Sequence, residues 1–269
     1  MWRTTYIVIL FCFIITTIHS QKGWEVGGWL GISQYYGDLN NEINLNAPGL
    51  AGGILGKYNY NSRVSIRGSL NYGSISADDS KSDNNFNRNR NLSFKSNIFD
   101  LTSGFEFNFL KHERGSKFNT YTPFIFAGIS LLSYNPTAEY EGKTYDLQKL
   151  GTEGQDRGEE YLLFTGAYTL GAGFKWDISS DVTLTAEFTT RRTFTDYLDD
   201  VSATYPDANR LLAIRGATAV NLSNRALKDG IGEEGRQRGI SNNKDRYTFL
   251  SISITKYFGQ LECPKISRI

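Results

Sequence analysis

Imidazole and thiol chemistry would have to come from four residues: His19, His112, Cys12 and Cys263. A protease or lipid hydrolase needs a base held beside an acid or a nucleophile. His112 lies in a short charged connection, without a motif that supplies a nucleophile and an orienting partner. It reads as a solvated turn histidine, and no catalytic residue is assigned. Two acidic clusters, Asp78, Asp79, Asp83 and Asp196, Asp199, Asp200, could gather oxygen ligands for calcium. Neither has the glycine and terminal glutamate of an EF-hand, so both read as solvated loop edges, and no metal or cofactor is expected. The glycines Gly151, Gly154, Gly158 and Gly230, Gly232, Gly235, Gly239 read as flexible loops, since no phosphate-loop GK[ST] follows a strand. The formal net charge is +1, and the basic stretch Asn85 to Arg90 is short and mixed, so nucleic acid is not an expected partner.

The charges that do form a pattern sit in segments alternating apolar and polar residues with period two, as strands do when their faces meet different surroundings. From Leu162 to Ile178 the even positions are apolar or small, while Thr165, Thr169, Lys175 and Asp177 take odd ones. Phe99, Leu101, Phe105, Phe107 and Phe109 alternate with Asp100, Thr102, Glu106 and Asn108, and Leu250, Ile252 and Ile254 with Ser251, Ser253 and Thr255. Trp24 to Gly37, Leu50 to Tyr60, Arg63 to Ala77 and Asp181 to Asp196 follow the rule less strictly. Pro123 to Tyr134 is mostly apolar on both faces. That makes eight strands.

Their length suits a bilayer, which a tilted strand crosses in about 9 to 11 residues. Connections alternate too. Asn59 to Ser62 and Ser179 to Asp181 are tight and Lys111 to Thr122 is intermediate, whereas Asp38 to Gly49, Asp78 to Asn97, Asn135 to Tyr161 and Asp199 to Asp245 are long. Short periplasmic turns and long external loops give that asymmetry. The fold class expected is all-β, an eight-stranded antiparallel transmembrane β-barrel of the outer membrane with both termini periplasmic. Aromatics near strand ends, Trp24, Tyr35, Tyr36, Trp176, Tyr257 and Phe258, would form girdles at headgroup level.

Residues 1–20 read as a signal peptide: Arg3, an apolar run from Tyr6 to Ile18, then Ser20 before Gln21. Residues 21–259 would be the barrel and 260–269 a periplasmic tail. With the apolar face outward, Glu25, Lys57, Arg67, Asp100, Glu106, Lys175, Glu187 and Arg191 point inward, four acids against four bases. Eight strands leave room for side chains and not for a channel, so these residues are expected to pair in a network that fills the lumen.

Three stretches resemble the PorG-type outer-membrane proteins of the type IX secretion system in Bacteroidetes. They are Tyr72 to Asp79, followed by Arg90 to Ser96 and Phe105 to Phe109; Arg191 to Ser202; and Asp245 to Phe249 leading into the last strand. The sequence departs from the family in the long loop from Asp199 to Asp245, where Asp207 to Gly216 is expected to form a short helix. The resemblance implies a small barrel associated with the periplasmic ring of that system, formed by a lipoprotein and its partner, and it brings no catalytic residues. The function expected is a non-enzymatic anchor for that machinery, embedded in outer-membrane lipid. The alternative is a surface barrel that binds extracellular ligands through its long loops. Cys263, followed by Pro264 in an extended tail, would be the one cysteine of the mature chain and could form a mixed disulfide with a ring subunit.

Overall fold

The computed structural model describes residues 22–40, 48–115 and 119–259. The expected signal peptide and the tail carrying Cys263 and Pro264 lie outside the described residues. Within them the chain forms β1 (Gly23–Tyr36), β2 (Gly49–Asn59), β3 (Val64–Asp78), β4 (Ser93–Asn108), β5 (Tyr121–Tyr140), β6 (Lys143–Asp146), β7 (Phe164–Asp177), β8 (Val182–Thr193) and β9 (Arg246–Gly259). Every pairing is antiparallel. β1 pairs with β2 on one side and β9 on the other, from Gly23↔Gly259 to Tyr36↔Arg246, so the sheet closes into a ring of eight. Closure leaves no unpaired ladder edge along the wall.

β6 is the exception to eight. It pairs only with the far end of β5, through Tyr140↔Lys143, and stands beyond the ring. The expected fifth strand ended at Tyr134, whereas β5 runs to Tyr140. Pro136 falls between the last β7 pair, Ser133↔Phe164, and the first β6 pair, Thr137↔Asp146. No ladder needs its missing N–H there. β4 likewise starts at Ser93, earlier than Asn97.

The alternation decides which face goes where. Leu30, Ile54, Leu70, Phe105, Ile129, Leu170, Phe188 and Ile252 all point outward and are exposed, one from each wall strand. Nothing among the described residues covers them. Aromatic residues gather at both margins of this belt: Trp24 packs on Tyr58 with centroids 5.2 Å apart near one end, and Tyr72 on Phe99 at 4.9 Å near the other. Among the described residues no helix is long and apolar enough to cross a membrane.

At the end shared by the first and last wall residues, the compact end, the connections 60–63, 109–120 and 178–181 are short in sequence. At the opposite end four long connections build a cap. It holds α1 (Asn85–Arg90), α2 (Leu147–Leu150), α3 (Ala208–Arg215) and α4 (Ala217–Ser223). α3 lies where a short helix was expected. Asp207 caps its first turn by accepting from the N–H groups of Asn209 and Arg210.

Candidate functional site

All eight charged residues read as lumen-facing are buried inside the ring. They fall into two separate groups. Near the compact end Glu106 is the hub: Lys175 contacts its Oε1, Arg67 lies 3.3 Å from its Oε2, and Lys57 approaches to 3.8 Å. Lys57 also pairs with Glu25 at 2.8 Å, and Arg67 with Glu187 through two N–H donors at 2.9 and 2.8 Å. Alternation along β1, β2, β3, β4, β7 and β8 aims these side chains at one axis. Removal of a single partner would leave a buried charge uncompensated.

Higher in the lumen Asp100 and Arg191 form the second group, at 2.5 Å. Tyr247 donates to Asp100 at 2.7 Å, Asn71 at 3.0 Å, and Trp29 donates to Asn71 at 3.0 Å. Sequence reading missed Tyr247, Asn71 and Trp29, since neutral polar residues on an inward face carry no distinguishing pattern. The apolar inner face of β5 also finds its reason here. Phe124 and Phe126 turn their rings to Lys175, at 4.7 Å, and Arg67, at 3.9 Å. A ring face attracts a cation that has given up its water.

A lumen cavity of about 20 Å³ remains beside Arg67, Asn71, Glu187 and Arg191, room for about one water molecule. Both ends are closed. Arg114, from the connection 109–120, enters the compact end, contacts Glu25 and lies 2.7 Å from Asp177. His112 is not a solvated turn residue; its side chain is buried with Nε2 3.0 Å from Asp177. Burial lowers its pKa despite that carboxylate. At the other end Tyr35, Phe94, Ile98, Leu132, Tyr134 and Phe249 form an apolar plug under the cap.

The acidic clusters are solvated edges only in part: Asp83 is exposed and Asp78 half-buried. Asp79, Asp196, Asp199 and Asp200 are buried. The chain covers them because two arginines gather the loops. Arg90 binds Asp79 at 2.7 Å and donates to the backbone carbonyls of Asp38 and Arg238. Arg238 pairs with Glu153 at 3.1 Å and Asp200 at 3.4 Å. Each long connection thus contributes to one buried network. Among the described residues no three acidic, histidine or cysteine side chains are arranged to hold a metal ion.

Below those arginines the Tyr35 hydroxyl lies 2.6 Å from Asp199 Oδ2 and 2.8 Å from Asp245 Oδ1. The hydroxyl proton is shared between these two oxygens or serves one of them, and protonation of the other carboxyl would relieve the crowding of acceptors. Burial raises the pKa of Asp199 and of Asp245, and each is pushed further by a neighbouring carboxylate, Asp38 on the first and Asp199 on the second.

A family model described as Domain of unknown function (DUF6089) matches residues 3–225. Comparison with curated proteins gives no match. Among solved structures the chain is similar to Neisserial surface protein A (NspA), at 12% identity over 88% of this chain and 97% of that one, with a TM-score of 0.42. Ail of Yersinia pestis in complex with the heparin analogue sucrose octasulfate matches at 9% identity over 90% and 100%, TM-score 0.41. OprG of Pseudomonas aeruginosa matches at 7% identity over 90% and 98%, TM-score 0.44.

Proposed function

The chain belongs to the family described as Domain of unknown function (DUF6089), and we propose that it is a non-enzymatic outer-membrane barrel whose periplasmic end positions a partner. The apolar belt on all eight wall strands carries this reading, because nothing among the described residues covers it and hydrocarbon would. With the lumen filled, the two ends are the surfaces left for work. Short connections at the end of the first and last wall residues fit the periplasmic side, and the long, capped connections the exterior.

For the partner, the resemblance to PorG-type proteins directs the proposal to the periplasmic ring of a type IX secretion system, through its lipoprotein and that lipoprotein's partner. A photo-cross-linking residue at Arg63 or Lys111 reports on the compact end, and one at Lys143 on the cap. The expected outcome is a covalent product with a periplasmic lipoprotein from Arg63 or Lys111 and none from Lys143. Products only from Lys143, with extracellular molecules, would instead support a surface-binding barrel. The buried Arg90 and Arg238 network favours that second reading to the extent that it gives the exterior a fixed shape.

A further inference from the structure

Arg192 and Arg246 stand directly opposite each other where β8 pairs with β9, and both side chains are exposed on the outer face of the wall. Like charges facing across a ladder repel. Among the described residues neither makes an ion pair. Lys244 lies two residues before Arg246, and its Nζ donates only to the Ser241 carbonyl, at 3.1 Å. Lys244 and Arg246 line a groove of about 540 Å³ together with Tyr36, Phe188, Ile240 and Thr248, and Arg192 stands next to it as the register partner of Arg246.

Depth identifies what could fill it. Arg192 is the register partner of Tyr168, whose ring packs edge-on against Phe194 with centroids 4.9 Å apart. These aromatics belong to the belt's margin on the cap side, and Phe188, Leu250 and Ile252 continue below them as exposed apolar wall. A ligand here would meet hydrocarbon on one side and three cations on the other. Guanidinium groups match phosphate oxygens with paired N–H donors.

We propose that this groove binds the phosphorylated sugar headgroup of an outer-leaflet glycolipid, with Arg192, Arg246 and Lys244 on the phosphate and acyl chains along Phe188. The proposal rests on the membrane orientation given above. The same basic rim in the inner leaflet would meet different lipids.

The test is a titration of the purified full chain, in neutral-detergent micelles, with diphosphoryl lipid A and with its dephosphorylated form. The expected result is at least about tenfold tighter binding of the phosphorylated lipid, a preference lost in R192Q/K244Q/R246Q. Retained slow electrophoretic shift on boiling shows that the variant still forms the barrel. Equal binding by wild type and variant, or a wild-type groove that yields only a dimer of this chain, would overturn the proposal. Labelling of Ser241→Cys on intact cells with an impermeant maleimide tests orientation separately. Failure there removes the outer-leaflet setting, whereas labelling together with phosphate-blind binding removes the site alone.

Discussion

Arg238 is among the largest fully buried side chains in the protein, and its partners come from separate loops. It pairs with Glu153 and Asp200 and donates to the carbonyls of Asp200 and Ser223. Arg238→Ala leaves two buried carboxylates without their cation, a change that costs about 3 to 5 kcal/mol. The loss should fall on the cap, seen as rapid amide exchange and protease cleavage across 194–245, while the wall strands stay protected. Uniform loss of protection in the wall would contradict so local a role. The same cap carries a pH dependence. Burial raises Asp196 to about 7 and Asp200 to about 6. A carboxyl with a raised pKa binds more protons folded than unfolded, so stability falls as pH rises from near 4, the unfolded value, through the folded one. The cap should therefore open more readily at pH 8 than at pH 5, after correction for intrinsic exchange. Asp196→Asn should flatten that slope, and a cap more stable at pH 8 would refute the assignment.

β4 offers the cleanest comparison of the two faces of the wall. Phe105 is 64% exposed on the outer face and Thr102 is 1% exposed within the lumen, where its hydroxyl lies 2.7 Å from Ser130. Phe105→Arg should cost about 2 to 4 kcal/mol in lipid near the midplane. Thr102→Arg should disrupt lumen packing more severely, and equal tolerance of the two in urea unfolding from bilayers would count against the face assignment. The strands were legible because period-two alternation records two environments, as in Phe99 to Phe109 and Leu162 to Ile178. The upper part of β5 and the short β6 were not, because Asn135-Pro136 carries a turn signal that only a gap between neighbouring strands neutralises. Lumen charges could be located from parity alone. Arg114, Arg90 and Arg238 could not, since loop arginines look solvent-facing until distant loops are brought over them. His112, Asp79, Asp196, Asp199 and Asp200 were misread for the same reason, while Asp83 is exposed as expected.

The whole barrel is an apolar cylinder with a filled axis. Two ionic groups, the apolar plug and the cap leave a lumen cavity of about 20 Å³, so reconstitution into planar bilayers should give no stable conducting steps. Defined single-channel openings from purified protein would mean that the cap and Arg114 move aside together. Ring closure has its own signature. β1 and β9 pair along their whole lengths, so detergent finds no edge from which to unravel the wall. The decisive measurement is electrophoresis of the full chain from isolated outer membranes, unboiled and boiled, in the same detergent. A band that migrates faster unboiled than boiled is expected, and recovery in the soluble periplasmic fraction with one mobility under both conditions would contradict a membrane-spanning barrel.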